Sequence, residues 1–347
     1  MFFASDNAGP AHPDVMQALV QANQGYAAAY GSDALMDDVR ARIRDLFEAP
    51  DAAVYLVATG TAANSLALAT LCAPYETVFC SPVAHIHEDE CNAPEFYSGG
   101  AKLTLVGDGD KMTAQTLRTA IENEGTRGVH GPQRGPVSIT QVTERGTVYS
   151  LDELRALCAT AAEFGLPVHL DGARFANALV ALECTPAEMT WKAGVNAVSF
   201  GGTKNGLLGV EAVVFFDPAK AWEFELRRKR GAHLFSKHRY LSAQMLAYLT
   251  DDLWLRTARM ANDNARYLAS GLRRAGVEFA HEPQANTIFA RMTRRTHRTL
   301  HAAGVAYHLW DGALDGTDED ALTTARFVCD WSIPQEEIDR FLALLDA

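Results

Sequence analysis

The sequence predicts an α/β protein with a mostly parallel sheet, followed by a smaller α+β segment. Short runs rich in Val, Ile and Phe alternate with longer helical patterns over the first two thirds of the chain. Alternation of this kind is typical of a parallel sheet covered by helices on both faces. From about residue 240 the pattern changes to long helices. We therefore expect a large domain at residues 1–240 and a small domain at residues 241–347.

The predicted strands of the large domain are short apolar runs bounded by turn residues. In chain order they cover 52–58, 77–82, 136–142, 166–171, 196–202 and 211–217. Ligands of open α/β sheets bind outside the carboxyl ends of the strands. Polar residues at those ends are therefore the candidate site.

Cap residues indicate two helices in the large domain. Thr61 is the expected N-cap of a helix over 61–72, directly after the first strand. Ser150 and Glu153 have the spacing of a capping box, and Gly165 is placed to end the helix that they begin.

The small domain is expected to contain strands near 286–292 and 325–331. A final helix is predicted to begin at Ser332, with Gln335 closing a second capping box, and to run to about residue 346.

Composition excludes several classes of function. The formal charge is −12, from 31 basic and 43 acidic side chains, which argues against nucleic acid or an anionic membrane as the main partner. The first residues do not have the pattern of a signal peptide, and no apolar run is long enough to span a membrane. The six cysteines form no CxxC pair and no metal site by spacing. We expect a soluble cytoplasmic protein with reduced thiols.

The first candidate feature is the stretch ATGTAANS, in which a tight turn joins a strand to a helix. The free N–H groups at the start of that helix and the positive end of its dipole favour a phosphate. An ordinary strand-to-helix turn with Thr61 as the cap explains the same residues.

The second feature is VHLDGARF, where Asp171 ends a buried apolar strand and Arg174 follows three residues later. A carboxylate at such a place is unfavourable unless it is paired. Either Asp171 has a functional role, or it forms a simple ion pair with Arg174 that braces the turn.

The third feature is Lys204 in VSFGGTKNG, at the end of the next strand. This stretch lacks the spacing of a GxxxxGK[ST] phosphate loop, and no GxGxxG follows a first strand. Lys204 and Asp171 would face the same crevice, because they end successive strands. A lysine, an acid and a helix N-terminus are together the parts that hold pyridoxal phosphate (PLP) in an enzyme.

Several motifs resemble the low-specificity L-threonine aldolases, which are PLP enzymes of fold type I in the aspartate aminotransferase superfamily. The resemblance runs over nearly the whole chain. Its motifs are SDN (5–7), AYGSD (29–33), TGTAANSLALA (59–69), AHIHEDE (84–90), HLDGARFANA (169–178), SFGGTKNG (199–206) and ARFVCDWS (325–332).

The resemblance implies a role for each matching residue. Lys204 would form the Schiff base, Asp171 would pair with the pyridine nitrogen, and His85 would stack on the cofactor ring. The other cofactor-binding residues implied are Gly60, Thr61, Arg174, Thr203 and Lys237, and the substrate-binding residues implied are Ser5, Tyr30, Arg174 and Arg326.

The activity implied is retro-aldol cleavage of L-threonine, L-allo-threonine and similar β-hydroxy-α-amino acids to glycine and an aldehyde. His85, His130 or a water held by either is the expected base for the β-hydroxyl proton. The resemblance also implies a homodimer or homotetramer with shared active sites. A β-eliminating lyase or an aminotransferase of the same fold, and a PLP-binding protein without turnover, remain alternatives.

Overall fold

The computed structural model describes residues 1–345, and its main feature is a seven-stranded sheet. The spatial order of the strands is β1-β7-β6-β5-β4-β2-β3. Their bounds are β1 Ala53–Val57, β2 Glu76–Cys80, β3 Lys102–Leu105, β4 Gln133–Thr140, β5 Val168–Gly172, β6 Ala197–Gly201 and β7 Glu211–Phe215.

The sheet is parallel except for one strand. β2 pairs in parallel with β3 and β4, β4 with β5, and β5 with β6, whereas β7 runs antiparallel to both β1 and β6. The expected mostly parallel α/β sheet is therefore confirmed. The reversal of β7 brings its first residue, Glu211, to the same edge as the carboxyl ends of β1 and β6.

Helices cover the two faces of this sheet and also pack on a second, smaller sheet. Their bounds are α1 Pro13–Ala22, α2 Ala34–Leu46, α3 Gly60–Leu71, α4 His85–Glu88, α5 Ala93–Ser98, α6 Ala114–Asn123, α7 Leu151–Glu163, α8 Phe175–Leu182, α9 Pro186–Met189, α10 Ala221–Arg230, α11 Arg239–Leu249, α12 Leu253–Arg274, α13 Arg294–Ala302 and α14 Gln335–Ala343.

Two predicted helix starts have different outcomes. The capping box of α7 is confirmed, because Ser150 Oγ accepts from Glu153 N at 3.2 Å and Ser150 N donates to Glu153 Oε2 at 2.7 Å. The cap expected at Thr61 is wrong. Thr59 has the extended backbone of an N-cap and its Oγ1 accepts from Ala62 N at 3.1 Å, so α3 already begins at Gly60.

The last helix begins later than expected. Pro334 is the N-cap of α14 and provides no side-chain hydrogen bond, so the predicted capping box does not form. Ser332 instead donates through its backbone N and its Oγ to Asp330 Oδ1, at 2.7 and 2.9 Å. A serine engaged with the preceding carboxylate does not cap a helix. The predicted end at residue 346 lies outside the described residues.

A second, four-stranded antiparallel sheet has the order β10-β11-β9-β8. Its strands are β8 Glu278–Phe279, β9 Thr287–Thr293, β10 His308–Leu309 and β11 Leu322–Val328, so both strands predicted in this region are present.

The two sheets have separate apolar cores that meet along α12. Leu253 and Ala258 at its start pack with the large sheet, whereas Ala265 and Leu272 pack with the small one. Phe3 also belongs to the second core. The two cores thus meet later in the chain than residue 240, where the sequence pattern changes to long helices. The division into domains at that residue stays a prediction.

Within residues 1–345, no helix combines the length and the apolar composition that crossing a membrane requires.

Candidate active site

A cavity of about 390 Å³ lies at the edge of the large sheet where β1, β5 and β6 end. Six of the expected site residues line it: Gly60, Thr61, His85, Asp171, Thr203 and Lys204. The other lining residues are Asn7, Ala58, Thr59, Asn64, Asp89, Glu90, Ala173 and Glu211. The topology explains this meeting, because strands that are distant in sequence end side by side.

One wall of the cavity is the N-terminus of α3. Gly60 and Thr61 are its first residues, so their N–H groups have no acceptor inside the helix. A side-chain Cβ added at Gly60 would meet no atom within 4 Å, which shows that the space beside it is open. Free N–H groups next to open space are suited to an anion.

Asp171 lies at the carboxyl end of β5 and is only 2% exposed. Its Oδ1 accepts from Ala173 N at 3.0 Å, and its Oδ2 accepts from Asn64 Nδ2 at 3.0 Å. His169, two residues earlier, hydrogen-bonds Ser138 and Ser199, and burial lowers the pKa of its imidazole to about 4. The strand end is therefore held rigidly.

Lys204 lies in a single 3₁₀ turn, Thr203–Asn205, directly after β6. Two contacts fix this turn. Asn205 Nδ2 donates to Tyr248 Oη at 2.6 Å, and Gly202 N donates to Glu211 Oε2 at 2.7 Å. Burial raises the pKa of Glu211 to about 7, although hydrogen bonds from Thr203 and Gly202 and the charge of Lys204 oppose the shift.

Arg174 does not pair with Asp171, so the simple ion pair between them is not observed. Its Nε and Nη2 donate to the two carboxylate oxygens of Asp6, at 2.7 and 3.0 Å. Asn286 Nδ2 also donates to Asp6 at 3.0 Å. Burial raises the pKa of Asp6, but the charges of Arg174 and Lys204 and these hydrogen bonds outweigh it, so the pKa is lowered.

Arg326 and Ser5 lie close together beside the cavity. Arg326 Nη2 donates to Ala4 O at 3.3 Å. Ser5 Oγ accepts from the backbone N of Asn7 at 3.1 Å, and Asn7 is part of the cavity wall. The Nε of Arg326 is buried and has no partner within the described residues. Burial and the nearby charge of Arg174 lower the pKa of Arg326. An anionic ligand would satisfy this nitrogen.

His85 begins the short helix α4, which follows β2. Its Nδ1 lies 2.9 Å from Glu90 Oε1, and the Glu90 side chain is fully buried. Burial lowers the pKa of His85, but the hydrogen bond to Glu90 and the charges of Asp171 and Glu144 more than compensate, so the pKa is raised.

The structure does not bring His130 to the cavity. His130 is exposed in a 3₁₀ turn, Gly128–His130, just before β4. That turn is at the amino end of a parallel strand whose eight residues span about 25 Å. Within this chain His130 is therefore at the opposite edge of the sheet, and His85 is the histidine that lines the cavity.

Tyr30 and Lys237 also lie outside the cavity. Both are exposed, and Tyr30 N donates to the carbonyl of Ser236 at 3.0 Å, so they share one surface region. The ammonium of Lys229 lies 4.9 Å from the centre of the Tyr30 ring. Arg239, two residues after Lys237 and at the start of α11, donates to Gly25 O at 2.9 Å.

Seven further polar residues at the site were not predicted from the sequence: Asp6, Asn7, Thr59, Asn64, Asp89, Glu90 and Glu211. Glu211 was missed because it begins a strand, and only the antiparallel direction of β7 brings it to this edge. Glu90 lies in the quoted motif AHIHEDE, five residues after His85, so that motif contained the signal. Asp6 lies in the quoted motif SDN, but its pairing with Arg174 gave no local signal, because the two residues are distant in the chain.

Comparisons with known proteins agree with this geometry. The family model described as Beta-eliminating lyase matches residues 3–295. The chain is 41% identical to the low specificity L-threonine aldolase of Pseudomonas sp. (strain NCIMB 10558), covering 98% of this chain and 96% of that protein. The corresponding aldolase of Pseudomonas aeruginosa is 42% identical, covering 97% of this chain and 94% of the relative. The chain belongs to the low-specificity L-threonine aldolase family.

A solved structure extends the similarity to the fold. The threonine aldolase of Leishmania major superimposes with a TM-score of 0.92 at 26% identity, covering 99% of this chain and 98% of that one. The expected fold-type-I architecture is thereby confirmed. The family membership identifies the chain as a lyase, and the cavity with Lys204 and Asp171 is its candidate active site.

Proposed function

We propose that this chain cleaves L-threonine, L-allo-threonine and related β-hydroxy-α-amino acids to glycine and an aldehyde, with PLP as its cofactor. The observation that carries the proposal is the meeting of Lys204, Asp171 and the N-terminus of α3 around one cavity. These are an amine, a buried acid and a phosphate site, and the family membership indicates the reaction they serve.

The residues around the cavity fit this cofactor. The free N–H groups of Gly60 and Thr61 suit its phosphate, the buried carboxylate of Asp171 suits a protonated ring nitrogen, and Lys204 supplies the amine that would hold it covalently. Thr203, next to Lys204, also lines the cavity. When bound, PLP supplies a ring that accepts electrons from the bond that breaks.

The chain's own residues then decide which substrate bond is broken. The unpartnered Nε of Arg326, with Ser5 beside it, is suited to hold the substrate carboxylate. The ion pair of Arg174 with Asp6 lies near Arg326. A carboxylate held there would fix the orientation of the substrate, and with it the choice of the bond that is cleaved.

His85 is the base that we propose for the β-hydroxyl proton. It lines the cavity, and one of its ring nitrogens is engaged with Glu90, which leaves the other available to a substrate. If His85 only stacked on the cofactor, His85→Phe would keep most of the activity. We expect that variant to bind PLP and lose turnover.

The direct test measures acetaldehyde release from L-threonine and D-threonine by the purified protein with added PLP. We expect release from the L-form and little from the D-form. Formation of pyruvate and ammonia in place of acetaldehyde would instead identify a β-eliminating lyase, and formation of a keto acid with pyridoxamine phosphate an aminotransferase. A cofactor spectrum that no amino acid changes would indicate binding without turnover.

We also propose a homo-oligomer in which Tyr30 and Lys237 contribute to a partner's active site. Both side chains are exposed on one surface region outside the chain's own cavity, which supports such a role. The test mixes Lys204→Ala with Lys237→Ala subunits after mild dissociation. Shared sites predict that mixed oligomers regain activity that neither variant has alone, whereas sites built within one chain predict no recovery.

A cytoplasmic location is the remaining proposal. It is supported by the cysteines, all six of which are free thiols in the structure. Titration of the denatured, unreduced protein should count six reactive thiols, and a lower number would argue for an oxidising compartment.

A further inference from the structure

We propose that Glu90 is a positioning residue of this enzyme: it holds the proton of His85 on Nδ1, so that Nε2 remains a proton acceptor for the substrate. This inference rests on the proposed function for its catalytic meaning, but its structural claim can be measured independently.

The first argument is the set of contacts made by the Glu90 carboxylate. Its side chain is fully buried. Oε1 lies 2.9 Å from His85 Nδ1 and accepts from Asn64 Nδ2 at 2.9 Å, while Oε2 accepts from Ser65 Oγ at 3.4 Å. Both oxygens are therefore engaged by neighbouring side chains.

The second argument determines which atom carries the proton. Asn64 Nδ2 lies between two carboxylates, because it also donates to Asp171 Oδ2 at 3.0 Å. Rotating the amide by half a turn would direct its oxygen at both carboxylates, so the nitrogen must face them. Oε1 of Glu90 is then already an acceptor for Asn64. Burial raises the pKa of Glu90, although the hydrogen bonds with His85 and Asn64 oppose the shift. An ionised Glu90 has no proton to donate, so His85 Nδ1 is the donor in the second contact, which leaves Nε2 without a proton in the neutral ring.

The backbone after Glu90 supports a dedicated role for this contact. Cys91 and Asn92 both adopt the left-handed conformation, with φ of 50° and 59°. Two successive non-glycine residues in this conformation cost on the order of 1 kcal/mol each. The tight reversal directs Glu90 inward, toward Asn64 and His85, while Cys91 itself is exposed.

The charges around His85 give the proposal a measurable pH dependence. Glu90, Asp171 and Glu144 favour the imidazolium, and Lys204 and Asp89 line the same cavity. Although burial lowers the pKa of His85, the contact with Glu90 is the largest of the influences that raise it. The charge of Glu90 is a separate and smaller influence in the same direction, so its removal also lowers the pKa of His85. The acid limb of the pH profile, where protonation of the base stops the reaction, then moves to lower pH.

Two variants separate the charge of Glu90 from its role as an acceptor. Glu90→Gln keeps an oxygen that can accept from both His85 and Asn64, but it removes the charge. Glu90→Leu removes the charge and the acceptor together. Glu88→Gln is the matched control, because Glu88 is exposed and lies on α4, the short helix that begins at His85. All three are studied as holoenzymes whose PLP content is measured by absorbance.

For Glu90→Gln we expect the acid limb of kcat to move to lower pH, with full cofactor content. For Glu90→Leu we expect kcat to fall about 10- to 100-fold while PLP remains bound. The control should match the unmodified enzyme in both respects. An acid limb that does not move in Glu90→Gln, or a Glu90→Leu variant with unchanged kcat, would overturn the proposal.

A readout that does not depend on turnover is the ¹⁵N spectrum of histidine-labelled holoenzyme, with the His85 signals identified by their loss in His85→Phe. We expect the Nδ1–H tautomer in the unmodified enzyme and in Glu90→Gln, and a mixture of tautomers in Glu90→Leu. Finding Nε2–H in the unmodified enzyme would refute the positioning role even if the aldolase activity is real. Conversely, absent aldolase activity with the Nδ1–H tautomer would refute the proposed function alone.

Discussion

The buried ion pair between Asp6 and Arg174 allows a quantitative prediction. The side chains of Asp6 and Arg174 are 1% and 9% exposed, and two short hydrogen bonds join them. Asp6→Asn keeps the shape of the side chain but removes its charge. The amide offers one acceptor where the carboxylate offered two, so Arg174 retains an uncompensated charge in a region that excludes water.

Breaking a buried pair by removing one partner costs about 3–5 kcal/mol, much more than the loss of an exposed pair. Because Asn retains one acceptor, we expect the free energy of unfolding to fall by about 3 kcal/mol. The exposed pair Asp263–Arg266 provides the control, since its side chains are 53% and 71% exposed. Asp263→Asn should cost at most about 1 kcal/mol.

The assay is urea unfolding of both variants followed by tryptophan fluorescence, at equal protein and PLP concentrations. A third variant, Asp6→Leu with Arg174→Met, removes both charges and should be more stable than Asp6→Asn. Equal losses for Asp6→Asn and Asp263→Asn would refute the reasoning, because burial would then make no difference to the pair. A double variant less stable than Asp6→Asn would show that lost packing is the larger effect.

Three further predictions concern single residues, two that line the cavity and one that does not. Lys204→Ala should lose both turnover and the absorbance of covalently held PLP; retained turnover would contradict its central role. His130→Ala should keep kcat within about twofold, because this residue lies at the other edge of the sheet; a large loss would mean that a partner brings it to the site. In PLP-free protein the pKa of Glu211 is raised from 4.5 to about 7, so its protonated form is favoured by folding. The free energy of unfolding of the unmodified protein, measured relative to that of Glu211→Gln, should therefore fall by on the order of 2–3 kcal/mol as pH rises from about 4.5 to 7. Curves of unfolding free energy against pH that run parallel for the two proteins would refute this.

Six of the seven strands of the large sheet, all except β3, and six residues of the cavity could be predicted because their signals are local. Short β-branched runs specify buried strands, and in parallel strands the carboxyl ends meet at one edge. Asp171 and Lys204 end neighbouring strands, so their proximity followed from the pattern alone. The capping box at Ser150 was equally local, and the family resemblance added His85, Gly60 and Thr61.

The errors arose where a choice depended on tertiary contacts. Thr59 and Thr61 are both acceptable caps in sequence, and the backbone of the turn decided for Thr59. The role that the resemblance implies for His130 is a different case: the direction of β4 puts this residue at the opposite edge of its own chain's sheet, and its role stays a prediction.

By itself, the sequence predicted the fold class and indicated Lys204, Asp171 and the start of α3 as the candidate site, because these signals lie in residues close together in the chain. Only the tertiary structure decided their partners. Asp6 binds Arg174, which is distant from it in the sequence but adjacent in space. Glu211 reaches the site because its strand is antiparallel, and Glu90 contacts His85 next to a reversal of the backbone. Buried charges need partners wherever the fold provides them, and no local pattern specifies where that is.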